Sequence, residues 1–359
     1  MYNSKSKDYT MQKIDSIIST AHEKRASDIH ITAGIPVRMR VDGALYDMNS
    51  EPLTGDDCTC LAHEISSRTS EISSMGEIDV SYTSADGVRC RVNIYRERRY
   101  TAIAIRLLNK GIPGYDELGL PLVAREFTKY KRGIVLVTGQ TGSGKSTTLA
   151  CLVNDINQHS AKHIVTLEDP IEYVHRSEKG TVHQREVGID TASFAHGLAS
   201  VLREDPDVVM VGELRRLNEI EAALTLAETG HLVLASVHTN SAADTIDRIV
   251  DVFPANQQAQ IRVQLSMTLN AVLCQQLIPA LHGKGRVLAT EVMMMNGAIR
   301  NLIREGKTPQ IENSIATSAD IGSHLMDNSI AALYKKGRIS RDDALVYAHN
   351  PDYLLKLIR

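Results

Sequence analysis

Gly139-Gln140-Thr141-Gly142-Ser143-Gly144-Lys145-Ser146, followed by Thr147, stands directly after the apolar run 133–138 and before a helical pattern. A G-x-x-x-x-G-K-[ST] match between a strand and a helix is a P-loop: glycines let backbone N–H groups curl around phosphates, Lys145 reaches the β and γ phosphates, and the Ser146 hydroxyl can meet Mg²⁺. A chance match in a chain of this length is on the order of one in a hundred before that context is required. Phosphate chemistry of this kind also needs carboxylates at the ends of neighbouring strands, to hold metal-bound water and orient an attacking one. The run 207–213 ends in Glu213, which is assigned to the Mg²⁺ side through water. Glu168-Asp169-Pro170-Ile171-Glu172 follows the run 163–167, where Pro170 ends the strand and turns the acids outward. A lone acidic strand end is often a solvated turn; two in one P-loop domain point to function. The run 231–239 carries His231 and His238 at its two ends. His238 is at the C-terminal end, where a parallel sheet holds its ligands, and is read as a γ-phosphate sensor; His231 is included among nucleotide-binding candidates, with a structural role weighed equally.

These groups need a scaffold, and the chain supplies two. At 359 residues, 43% hydrophobic and 23% charged, it is long enough for two folded units. The formal charge of −3 gives no bulk attraction for nucleic acid or an anionic membrane. Residues 1–20 interleave charges with apolar positions, so no secretory leader is expected, and no run approaches the roughly 18 apolar residues of a spanning helix. Five scattered cysteines support neither a disulfide framework nor a zinc knuckle.

Helical spacing over 11–29 gives way to extended segments at 30–39 and 40–46, with turns at Gly34-Ile35-Pro36 and Asp42-Gly43, then to strands at 88–95 and 100–107 joined by a polar turn at 96–99. Residues 1–108 therefore read as a small α+β domain. The breaker-rich segment 109–119 reads as a linker, and 120–359 as an α/β domain with a largely parallel sheet whose strands include 133–138, 163–167, 208–211 and 232–237. Beyond residue 255 helices are expected, over 260–277, 297–305 and within 320–359. The turn 298–303 is amphipathic, with Ile299, Leu302 and Ile303 on one face and Arg300, Asn301 and Arg304 on the other.

Four blocks together, at 139–147, 168–172, 203–213 and 228–239, resemble the motor ATPases of type II secretion and type IV pili. Ala298-Ile299-Arg300-Asn301-Leu302-Ile303 is similar to the signature of the pilus retraction subfamily, and no tetracysteine module of the extension and secretion relatives is present. The resemblance implies a PAS-like N-terminal domain, a RecA-like C-terminal domain, ATP as the nucleotide, and a homohexamer. It further implies a cytoplasmic location at the inner face of the cell membrane, reached only through an inner-membrane platform protein. It implies that Glu172 polarises the attacking water, that Glu213 serves Mg²⁺, and that Arg91, Arg99 and Arg106 complete the site. Those arginines lie in a basic hairpin with Arg89, Arg96 and Arg98, which could equally be a solvated strand face. Two positions depart from the pattern: Gln140 replaces a usual Pro, and Arg216 a usual Asp. The rival functions are pilus extension or type II secretion, a ring that binds nucleotide without hydrolysis, and a DNA translocase, for which no aromatic single-strand platform is evident.

Overall fold

The computed structural model describes residues 13–41, 43–108, 111–281, 283 and 285–359. The start of the 11–29 pattern, Asp42 of the second turn, and Asn109 and Lys110 of the linker lie outside them. The chain divides into two compact units, Met1–Gly111 and Ile112–Arg359.

In the first unit, Ile14–Glu23 is a helix that buries Ile14, Ile17, Ile18 and Ala21 along one stripe. Its partner, Gly55–Ile65, is started by a reciprocal cap: Thr54 Oγ1 accepts from Asp57 N at 3.2 Å, and Asp57 Oδ2 accepts from Thr54 N at 2.7 Å. Both helices belong to the core of an antiparallel sheet made of β1 (Asp28–Ile31), β2 (Arg38–Val41), β3 (Ala44–Asp47), β4 (Glu77–Thr83), β5 (Arg89–Glu97) and β6 (Tyr100–Leu107), in the order β3-β2-β1-β6-β5-β4. Alternation decides the faces: Cys90, Val92 and Ile94 point into the core while Arg91 and Asn93 do not. The two extended segments expected over 30–46 are three strands, because Pro36 interrupts the first and a tight hairpin splits the second.

The second unit is built on a seven-stranded sheet: β7 (Gly133–Thr138), β8 (His163–Glu168), β9 (Thr181–Glu186), β10 (Val208–Val211), β11 (Leu232–Val237), β12 (Leu269–Pro279) and β13 (Arg286–Met294), ordered β13-β12-β7-β11-β10-β8-β9. All pairs are parallel except β12 with β13. Every residue of β7 and β11 is buried, as befits strands covered on both faces. Helix Lys145–His159 covers one face; helices Leu217–Glu228, Ala242–Asp251, Ala255–Thr268 and Gly297–Glu305 cover the other. Helices Met326–Lys335, Arg341–Tyr347 and Pro351–Leu357 pack on the β12–β13 hairpin. The helix expected over 260–277 stops at Thr268, and the apolar stretch after it is β12. Leu269, Ala271, Val272, Leu273 and Cys274 are all buried, and such a run carries no period that separates strand from helix. Among the described residues no helix is long and apolar enough to cross a membrane.

Candidate nucleotide site

Parallel strands end on the same side, so the residues just past β7, β8, β10 and β11 gather along one edge of the sheet. The loop after β7 is the P-loop. Gly139, Gly142 and Gly144 have φ of 143°, 79° and 92°, values that side-chain-bearing residues rarely adopt. Gly139 also has no room for a Cβ, which would strike the backbone carbonyl of Gln275 and the Ser143 hydroxyl. Gln140, Thr141, Gly142 and Ser146 face solvent, Thr147 and Gly144 are partly covered, and Ser143 and Lys145 are buried.

Lys145 Nζ donates to the carbonyls of Gly139 at 2.8 Å and Gln140 at 3.0 Å, and stands 3.4 Å from His238 Nδ1. Burial holds this ammonium below its usual pKa, while the nearby Glu213 and Glu172 carboxylates act in the opposite direction. His238 Nε2 is 3.1 Å from Glu213 Oε1, and Glu213 also accepts from Arg215. With Nδ1 facing an ammonium, the neutral imidazole carries its proton on Nε2 and donates it to Glu213. Lys145, His238 and Glu213 thus form one chain across β7, β11 and β10. Glu213 is aimed there because Ser236 Oγ donates to the Gly212 carbonyl at 2.5 Å, and Leu214 N bonds Ser236 O at 2.9 Å.

The acids after β8 separate. Glu168 is buried, accepts from Thr166 Oγ1 at 2.7 Å and Gln184 Nε2 at 3.0 Å, and burial pushes its carboxyl up to about 6. Glu172 is half-buried on the following loop. That loop is pinned by Tyr173, whose hydroxyl is 3.0 Å from Thr147 Oγ1, and by Gln184, which donates to the Tyr173 carbonyl at 2.8 Å and accepts from His175 N at 2.7 Å. The pinning residues Tyr173 and Gln184 were not singled out by sequence, and Glu168, expected to turn outward with the other acids of its block, is instead the buried last residue of β8. Gln184 sits in β9, a polar edge strand whose composition hides it.

His231 is the exception. It precedes β11, while His238 follows it, so about 20 Å of strand separates them. Its Nδ1 faces the Leu226 carbonyl at 3.0 Å and the Thr229 hydroxyl at 3.1 Å, closing the turn after helix Leu217–Glu228. His231 therefore stands at the end of β11 opposite the P-loop of its own chain. Arg216 occupies the N-cap of that helix, where a carboxylate would accept N–H bonds; Glu219 takes over, its Oε2 accepting from Arg215 N at 2.8 Å and Arg216 N at 3.0 Å. Arg300 does not stand free on the outer helix face either. It donates to the carbonyls of Ser266 and, at 3.3 Å, Met267, which end helix Ala255–Thr268.

Within the first unit, Arg91 and Arg106 are cross-strand neighbours on the open face, and Arg106 pairs with Asp28 at 3.1 Å. Arg91 is 3.6 Å from Asp79. Arg99 lies in the two-residue turn between β5 and β6, where Arg98 and Arg99 hold φ of 46° and 75°. Such a hairpin turn is ordinarily given to Asn or Gly.

Among the described residues no cluster of three or more His, Cys, Asp or Glu is arranged as a metal site. A phosphate-bound Mg²⁺ needs fewer protein ligands. The exposed Ser146 hydroxyl at the first turn of the helix and the Glu213 carboxylate at the same sheet edge fit that requirement.

Residues 3–317 match the family model described as type II/IV secretion system protein. The chain is 43% identical to the type IV pilus retractation ATPase PilT of Pseudomonas aeruginosa, over 94% of this chain and 99% of that protein. It is 45% identical to a twitching motility protein of Neisseria gonorrhoeae, over 77% and 74% of the two chains. A crystal structure of the pilus retraction motor PilT with bound ADP superposes with a TM-score of 0.90 at 45% identity, covering 96% of this chain and 99% of that one.

Proposed function

The chain belongs to the type II/IV secretion system protein family and is a P-loop ATPase; from that premise we propose that it is a Mg²⁺-dependent, homohexameric motor that retracts type IV pili. The observation that carries this reading is the chain Lys145–His238–Glu213 beside the Glu172 loop, one lysine, one histidine and two acids at the C-terminal edge of a single parallel sheet. Mg²⁺, when bound, would neutralise charge developing on the phosphoryl oxygens.

The protein's own groups do the rest. Backbone N–H groups of 139–147 cradle the phosphates, and Lys145 exchanges the carbonyls of Gly139 and Gln140 for phosphate oxygens. Ser146 and, through water, Glu213 would hold the metal. Glu172 orients the attacking water, and His238, freed from Lys145, reports the γ-phosphate and passes that contact to Glu213. Arg91, Arg99 and Arg106 are supplied from the first unit when the ring closes, stabilising charge on the transferring group. In this reading the motor works at the inner face of the membrane through a platform protein.

The test is a count of surface pili on source cells carrying Glu172→Gln at normal protein level. Excess pili with lost twitching are expected; bald cells would make the motor an extension ATPase, and unchanged pili and motility would favour a ring that needs binding alone.

A further inference from the structure

Phosphate binding by a P-loop depends on which way its peptide planes face. In a trans peptide the carbonyl of one residue and the N–H of the next lie on opposite sides of the bond. A side chain that captures the carbonyl of Ser143 from outside therefore turns the N–H of Gly144 inward, and capture of the Gly142 carbonyl does the same for the N–H of Ser143.

Both captures are present, and both come from the β12–β13 hairpin. Gln275 Nε2 donates to the Ser143 carbonyl at 2.9 Å in a buried setting, and Arg286 Nη1 donates to the Gly142 carbonyl at 3.3 Å on the exposed rim. The hairpin is locked to the root of the loop as well. Thr138 Oγ1 donates to Cys274 Sγ at 2.8 Å, and the backbone carbonyl of Gln275 occupies the space beside Gly139. Gln275 is 1% exposed, yet its Oε1 has no hydrogen-bond partner. A core amide selected for stability would satisfy both ends, because an unmet buried acceptor costs free energy. An amide kept for its donor alone fits a residue held in place for what it does to the loop.

We propose that Gln275 and Arg286 are positioning residues of the nucleotide site, aiming the N–H groups of Gly144 and Ser143 at the phosphates from outside the loop. This rests on the ATPase reading above. The hairpin becomes a control point: a shift of β12 against β7 would rotate these peptides and change phosphate affinity.

The test compares the full-length protein with Gln275→Met, which keeps the volume and removes the amide, and with Arg286→Ala and Arg286→Lys. ADP binding is measured by calorimetry, ATP turnover by steady-state kinetics, and ligand-free stability by thermal melting. Gln275→Met should weaken ADP about tenfold, roughly one lost charge-assisted hydrogen bond. It should raise KM in step with little change in kcat, since the contact is made equally to substrate and transition state. Its ligand-free melting temperature should stay within about 3 °C of the parent or rise, because an unsatisfied acceptor has gone. Arg286→Ala should weaken ADP about threefold and Arg286→Lys should recover most of it, as one donor is retained. ADP affinity of Gln275→Met within twofold of the parent overturns the proposal. So does a loss of affinity matched by a fall in ligand-free melting and in kcat, which would make Gln275 a fold residue. Parent protein that fails to bind ADP would instead strike the nucleotide reading itself.

Discussion

The two sheets of this protein present chemistry in opposite ways. In the second unit six parallel strands bring Lys145, Glu168, Glu213 and His238 to one edge, where carboxylate, imidazole and ammonium touch one another. In the first unit antiparallel strands scatter their ends, and the charged groups instead form a row across one face: Arg40, Asp28, Arg106 and Arg91 are successive cross-strand neighbours on β2, β1, β6 and β5. An edge can enclose a small ligand and shift the pKa of its groups. A face is wide and solvated, with the Arg106 and Arg91 side chains 67% and 45% exposed, and suits a second surface. On the proposed function the bond-breaking groups lie at the edge and the assisting cations on the face.

The division predicts a graded series. Lys145→Ala removes a cation buried at the edge, and ATP hydrolysis should fall by roughly a thousandfold or more; a residual rate within tenfold of the parent would break the assignment. Glu172→Gln should lower kcat by about a hundredfold with KM nearly constant, since a water-orienting group acts in the transition state. Arg106→Ala, on the face, should cost about tenfold to a hundredfold in the assembled ATPase while leaving ADP affinity of dilute protein unchanged; equal loss in both would move this arginine into its own chain's site.

Smaller effects sharpen the contrast. Glu168 carries a carboxyl raised from 4.5 to about 6 by burial, so the folded state holds the proton more tightly than the unfolded one. The stability this gives is complete below pH 4.5 and is lost as pH rises through 6, an amount of about 2 kcal/mol from 1.36 kcal/mol per unit. Glu168→Gln should flatten that decline in urea unfolding run from pH 4.5 to 7.5, and an unchanged slope would place the titration elsewhere. His231→Ala, at the far end of β11, should change kcat by less than about twofold and cost roughly 1 kcal/mol through its turn contacts; a large kinetic loss would mean that the opposite edge also does chemistry.

Much of the edge was readable because a P-loop, an acid-terminated apolar strand and a histidine after a buried strand each leave a local mark. What escaped was whatever depends on pairing at long range. The β12 run 269–274 is buried on both faces and so shows neither helical nor strand period, and with it went the role of Gln275. β9, reading Thr-Val-His-Gln-Arg-Glu, has the composition of a loop and becomes a strand only by pairing with β8. The place of His238 at the C-terminal end of its strand was legible, whereas the turn contacts of His231 with Leu226 and Thr229 were not. Arg300 reads as an exposed helix position, and its bond to Ser266 comes from a helix packed beside it.

Strand order also has a consequence for synthesis. β7, which leads into the P-loop, pairs with β11 on one side and with β12 on the other, both encoded far downstream. On the ribosome the loop is complete long before its neighbours exist, and its strand, buried along its whole length in the finished protein, emerges with two open edges. Until residues 269–279 have cleared the exit tunnel that strand keeps one edge unpaired, so truncation before them should yield an aggregation-prone fragment rather than a smaller ATPase.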